Sequence, residues 1–283
     1  MAQPLNLCRQ FVKQMAPLVA GARGNIGASE AVRNVTSYYG SLIDLIGLSQ
    51  KIMLPPGGQV LEDDSLRALD DNTPLRLPFP VTVLEFLTDE GPIRPGALAC
   101  NKVITVARER LLEDGEQALV LSVIPCYTHN GSWSPLPEIA IPLTHAIDRK
   151  NFLNGGVGIR MFGSQTAETH ADDYRGEVSA LLGVLNALAC SNVRTSMLPQ
   201  SKVRKAIKTA IPFDDYYVLT IDTHTGKGTG DSQKHAGRSP REHLRRGHIR
   251  RFESGVKVWV SACVVAAGSA GKITKEYALR RAA

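Results

Sequence analysis

The chain is short of cysteine and short of long apolar runs, and each shortage excludes something. Its five cysteines are Cys8, Cys100, Cys126, Cys190 and Cys263, and no two fall within ten residues of each other. They offer no CxxC pair and no zinc-ligand spacing. A sparse, odd-numbered set reads as reduced, mostly buried thiols of a cytoplasmic protein. No run approaches the roughly 18 uninterrupted apolar residues of a spanning helix, so no membrane partner is expected. Met1–Ala20 carries Arg9 and Lys13 inside its apolar stretch. A secretory signal keeps its charge ahead of that stretch, so none is read here. GxSxG is absent, and with it a nucleophile elbow. Gly226-Lys227-Gly228-Thr229-Gly230 lacks the GxxxxGK[ST] spacing of a phosphate loop and opens no apolar helix. His170, Asp172 and Asp173 suit a helix N-terminus, where negative charge complements the dipole. Neither a metal nor a cofactor is expected.

What is present is an ordinary globular balance, 43% hydrophobic and 21% charged over 283 residues. That is enough for one large or two modest domains and argues against disorder, fibres and coiled coils. The charge is unevenly spread. The 18 residues Lys234–Arg251 hold Lys234, Arg238, Arg241, Arg245, Arg246, Arg250 and Arg251 against one acid, Glu242. The remaining chain has 26 residues of each sign, so this block carries the whole net charge of +6. It also holds His235, His243 and His248. Such a concentrated block is either a solvated arm or a docking surface for a polyanion or an acidic partner.

Periodicity gives the organisation. Leu5, Phe11, Val12, Met15, Leu18 and Val19 space as a helix over 3–20 that Pro17 should bend or end. Ser29 reads as the N-cap of a helix over 30–49 with Val32, Val35, Tyr39, Leu42, Ile43 and Ile46 on one stripe. Pro55-Pro56-Gly57-Gly58 is a breaker, and 61–80 an acidic connection. From Val81 the period becomes that of strands: VTVLEFL, KVITV (102–106) and ALVLSVIPCY (118–127), with turn residues between, predict an antiparallel meander. Pro135, Pro137 and Pro142 bracket a short extended piece. Residues 171–192 read as a helix, 202–210 as a short basic helix, 216–221 as a strand and 222–240 as a long polar loop. Residues 246–252 and 256–265 form two strands around a Glu253-Ser254-Gly255 turn, and 273–279 a possible third. The fold class is therefore α+β: N-terminal helices, a central antiparallel sheet, a further helix and a C-terminal basic β-hairpin. Region boundaries are expected at 1–53, 54–222 and 223–283, within one domain or across several.

The cluster His243-Leu244-Arg245-Arg246-Gly247-His248 is where chemistry concentrates. As acid and base of a ribonuclease, His243 and His248 would have to converge. Residues five apart on a regular strand face opposite ways, so this needs Gly247 to break the strand. As a binding surface, Arg246, His248 and Arg250 alternate along one strand face about 7 Å apart. That spacing matches successive phosphates or alternate residues of an added peptide strand. Binding is the reading the spacing favours. Trp259 on the partner strand either stacks on an arginine or a base, or packs into the core. The candidate binding residues are His243, Arg245, Arg246, His248, Arg250, Arg251 and Trp259; no catalytic residue is assigned.

These residues also carry a likeness. Ser239-Pro240-Arg241, His243-x-Arg245-Arg246-Gly247-His248, a glycine turn and Val258-Trp259-Val260 resemble the signature SPRPHxRRGHxR…G…VWV. That signature belongs to a family of phage, prophage and plasmid proteins named after the anti-CRISPR inhibitor of type V-A systems. Asp71-Asn72-Thr73-Pro74, Pro212-Phe213 and the strand Tyr217–Ile221 are similar too, although only HxRRGH is a specific motif. Glu242 stands where the family often has Pro, and Leu244 and Ile249 where it often has aromatics. The resemblance implies a non-enzymatic viral protein that inhibits host defence in the bacterial cytoplasm. Its partner would be the CRISPR effector, met as a nascent chain together with its message. The alternative is a general RNA- or DNA-binding phage protein, using segment 234–251 for nucleic acid; a His-dependent ribonuclease comes third.

Overall fold

The computed structural model describes residues 5–24, 27–60, 76–88, 99–111, 115, 117–142, 160–161, 174–198, 216–221, 243–245, 248–260, 263–265 and 280–281. The expected helix at 202–210, the turn at 89–91, the loop at 222–240, the strand at 273–279 and residues 170–173 lie outside them.

Helix α1 (Leu7–Arg23) and helix α2 (Glu30–Leu48) form the N-terminal pair. Pro17 neither ends nor shortens α1, which runs six residues past it. The reason is packing: Leu7, Cys8, Phe11, Met15 and Val19 bury one face, while Pro17 sits on the exposed side, where water can serve the carbonyl it leaves unpaired. Ser29 caps α2 as expected, its hydroxyl accepting from the Val32 amide. The stripe is shorter than expected, because Val32 and Val35 remain about half exposed and burial is confined to Gly40, Leu42 and Ile46.

The α+β class is borne out, and the sheet is mixed. Strands β2 (Val81–Leu87), β3 (Cys100–Leu111), β4 (Gln117–Tyr127), β5 (Ile139–Pro142) and β6 (Arg160–Met161) follow one another antiparallel. On the other flank of β2 lies β1 (Gln50–Met53), parallel to it, and then β8 (Tyr216–Ile221), parallel to β1. Strand β7 (Val193–Met197) pairs antiparallel with β8, and the two-residue β13 (Arg280–Arg281) runs parallel to its end. Strands from residue 50 to residue 281 thus share one sheet.

Alternation along these strands makes two apolar faces. Val83, Ile104, Val106, Ile124 and Cys126 meet α1 and α2, where Phe11 sits edge-on to Trp133 at 6.1 Å. Ile52, Leu84, Phe86, Val103, Leu119, Leu121, Val123 and Leu219 meet helix α3 (Arg175–Leu188) through Val178, Leu181 and Leu185. At the breaker, Gly58 has φ 70°, and a Cβ there would lie 3.0 Å from Phe86 and 3.1 Å from Ala180, so only glycine fits under α3. Among the described residues, no helix is long and apolar enough to cross a membrane.

Two buried charges fix the helical pair on the sheet. Glu85 of β2 is fully buried; its carboxylate accepts from the Leu7 and Cys8 amides at 3.1 and 2.8 Å and from the Tyr216 hydroxyl at 2.9 Å. It caps the first turn of α1, where the orphan amides and the dipole both favour an anion. Lys51 of β1 is equally buried and donates to the Ile46 and Ser49 carbonyls at 2.9 and 3.3 Å, at the end of α2. Burial pushes the Glu85 carboxyl above its ordinary range, against the four hydrogen-bonding contributions from Cys8, Leu7 and Tyr216 that pull it down.

A carboxyl held higher in the folded than in the unfolded chain makes stability fall as pH rises from the ordinary carboxylate range through the folded value. Glu85→Gln removes that titration. The melting temperature of the variant, measured relative to wild type, should therefore improve progressively from acid to neutral pH; a difference constant with pH would refute the assignment.

Candidate binding site on the C-terminal hairpin

Strand β10 (His248–Arg251) and strand β11 (Lys257–Val260) form the expected hairpin, with His248↔Val260, Ile249↔Trp259, Arg250↔Val258 and Arg251↔Lys257 in register. The Phe252 amide donates to the Val256 carbonyl at 3.0 Å, and Glu253, Ser254 and Gly255 make the turn between them. Gly255 has φ 80°, the left-handed residue that a three-residue loop requires at its end. Strand β9 (His243–Arg245) pairs with β12 (Cys263–Val265) as His243↔Val265, Leu244↔Val264 and Arg245↔Cys263. Within each ladder partner numbers fall by one per residue, from His243↔Val265 to Arg245↔Cys263 and from His248↔Val260 to Arg251↔Lys257. Residues 246–247 and 261–262, including Arg246 and Gly247, lie outside the described residues.

The hairpin is docked by one face. Ile249 and Trp259, cross-strand partners, are half-buried against the α3 side of the core. The outer edge of β11 is closed by the turn between α3 and β7. Asn192 Nδ2 donates to the Trp259 carbonyl at 2.9 Å, and its Oδ1 accepts from the Trp259 amide at 2.8 Å. The Ser191 amide and hydroxyl both donate to the Lys257 carbonyl, at 2.9 and 3.2 Å. One asparagine side chain therefore plays the part of a neighbouring strand. The indole belongs to the interface with the core, the second of the two roles open to Trp259.

The opposite face carries Arg250 and, continuing its alternation past the strand end, Phe252. Both are exposed, with the Arg250 guanidinium carbon 4.9 Å from the Phe252 ring centre. Arg251 is exposed at the strand end, and Lys257 is half-buried. Of the sequence candidates, then, Arg250 and Arg251 are brought to the surface of one strand and Trp259 to its underside. His243, Arg245 and His248 are located by backbone register alone, His243 and Arg245 in the β9–β12 ladder and His248 in the β10–β11 ladder. Three contributors were not singled out from sequence. Ser191 and Asn192 lie 66 and 67 residues from their partners and have no local signature. Phe252 had one, the i, i+2 spacing from Arg250 beside a glycine turn.

Three of the described thiols are buried. Cys8, Cys126 and Cys190 are buried and unbridged, and burial pushes Cys190 up to about 11, with Lys257 pulling the other way. No cluster of three His, Cys, Asp or Glu side chains suited to a metal occurs among the described residues. No protein family, curated protein or solved structure matches the chain.

The docking geometry separates stability from surface charge. Asn192→Ala removes both bonds to Trp259 and should cost about 2 kcal/mol. Trp259→Ala should cost a similar amount, since the ring is only half-buried. Arg250→Gln should shift stability by no more than about 0.5 kcal/mol. Urea unfolding of the full chain checks all three, and an Arg250 effect as large as the Asn192 effect would place the arginine in the fold rather than on a binding surface.

Proposed function

We propose that this chain is a non-enzymatic accessory protein of a phage or other mobile element that inhibits host defence. It would work in the host cytoplasm by binding a defence polypeptide, its RNA or both. The C-terminal basic hairpin is the contact surface. One observation carries the reading: the hairpin is fastened to the body through Ile249, Trp259 and the Asn192 pair, and a strand from the most basic segment of the chain is presented on its outer side. Exposed charge such as that of Arg250 steers and holds a partner of opposite sign. The likeness of Ser239–Val260 to the anti-CRISPR family's signature supplies the partner class, a CRISPR effector met as a nascent chain.

The concentration of basic residues in segment 234–251 supports binding over catalysis. General binding of RNA or DNA is the second reading, favoured by the same charge.

Capture from a defence-proficient host lysate tests the choice. A host polypeptide should be recovered with the wild-type chain, survive RNase treatment, and be lost from the Arg250→Gln/Arg251→Gln variant. Recovery abolished by RNase would instead select the nucleic-acid reading. The purified protein should leave labelled RNA and DNA uncut with or without divalent metal; cleavage lost on both His243→Ala and His248→Ala would restore the ribonuclease.

A further inference from the structure

From the exposed face of the hairpin we infer that Arg250 and Phe252 form a stacking site for single-stranded RNA, Phe252 taking a base and Arg250 the adjoining phosphate. The inference rests on the reading of the hairpin as the contact surface and assigns a ligand to its outer side. Two independent features point to it. The first is charge: β10 ends the segment that holds the whole net charge of +6, and Arg250 and Arg251 are exposed there. The second is an aromatic ring left in solvent at that spot. Phe252 is 43% exposed, while the other aromatic of the hairpin, Trp259, is turned to the core. The Arg250 guanidinium carbon lies 4.9 Å from the ring centre, and a ring this exposed has surface left for a flat partner. Bases have such faces whatever their sequence, which is why basic grooves with interleaved aromatics bind single strands with little sequence preference. In a duplex the bases are already stacked on each other, so this pair offers it only the phosphate contact. An acidic peptide would use the arginines and leave the ring unsatisfied.

The arrangement of the turn favours the same ligand. Phe252 and Val256, exposed on either side of Glu253-Ser254-Gly255, are tied by the Phe252–Val256 backbone bond. The ring therefore starts from a fixed backbone position and loses little freedom on binding. Along its outer edge, Asn192 and Ser191 hold β11 through its backbone, so a ligand on the outer face meets a supported strand.

The test uses the full chain and a fluorescein-labelled oligouridylate of about 12 nucleotides, the length of a single-strand site, with heparin as a polyanion without bases. Phe252→Leu should weaken oligouridylate binding about tenfold, Phe252→Trp should preserve it, and neither should change heparin binding. Arg250→Gln should weaken both ligands and lower the salt slope for the oligonucleotide by about 0.7. Thermal melts of all variants should match wild type, since these side chains are exposed. Oligouridylate binding indifferent to Phe252→Leu would overturn the stacking site, as would an equal loss for heparin or displacement of the oligonucleotide by an oligoglutamate peptide at equal concentration. In any of those cases, host polypeptide capture that still depends on Arg250 leaves the proposed function standing; loss of that dependence removes the hairpin reading itself.

Discussion

The two buried charges of the central strands are the constraint from which the rest of the fold follows. Glu85 and Lys51 lie on neighbouring strands, Met53↔Glu85 and Lys51↔Val83 placing them on one face. That face receives the start of α1 and the end of α2. A buried carboxylate or ammonium costs several kcal/mol unless its neighbours compensate it. Here each is compensated by the unpaired backbone groups of a helix terminus, amides for the anion and carbonyls for the cation. The match works in one placement of the helical pair. Sliding α1 by a single residue would leave Glu85 facing the wrong amides, so the charges specify position where apolar contacts alone would tolerate a shift. Tyr216 adds β8 to the same carboxylate, and the helices, the meander and the late-sequence strand become one assembly.

That dependence explains which parts of the architecture were legible in the sequence. The meander was, because β2, β3 and β4 alternate or run apolar for seven or more residues and neighbours in sequence pair in space. So were α2, with its serine cap, and β8, with its run YYVLTI. Strands β1 and β7 were not. QKIM follows α2 after a single residue and carries a lysine, which looks like a helix tail. Its identity as a strand comes from β2 and β8 on either side, contacts made across at least 30 residues of chain. VRTSM is polar enough to pass for a loop. Pro17 misled in the opposite direction: the local penalty was real, but five buried side chains on the other side of α1 outweigh it.

The candidate site divides along the same line between local and distant information. The strand pairing and turn of the hairpin were readable because Gly255 and the alternating residues around it are local chemistry. Which face points inward was not. A pattern with valines at 258 and 260 invites the expectation that these bury, yet Ile249 and Trp259 pack on the core instead. The edge of β11 is closed by the Ser191-Asn192 turn, itself reached across 66 or 67 residues. With Ile249 and Trp259 on the core, alternation sends Arg250 and Val258 to the other side. The orientation of the basic surface is therefore set by the apolar pair Ile249 and Trp259 on the side away from it.

This arrangement also accounts for why so much like charge is tolerated near one hairpin. Exposed arginines repel one another only weakly through water and salt, but a hairpin standing alone is marginal, and even a modest repulsion would open it. Docking by Ile249, Trp259, Ser191 and Asn192 supplies the stability from the underside, independent of charge. Arg250 further covers Phe252, which lowers the cost of leaving an aromatic ring in solvent. The outer residues are then released from any duty to the fold. Replacing exposed Arg250 therefore leaves the two buried charges to keep the body in place.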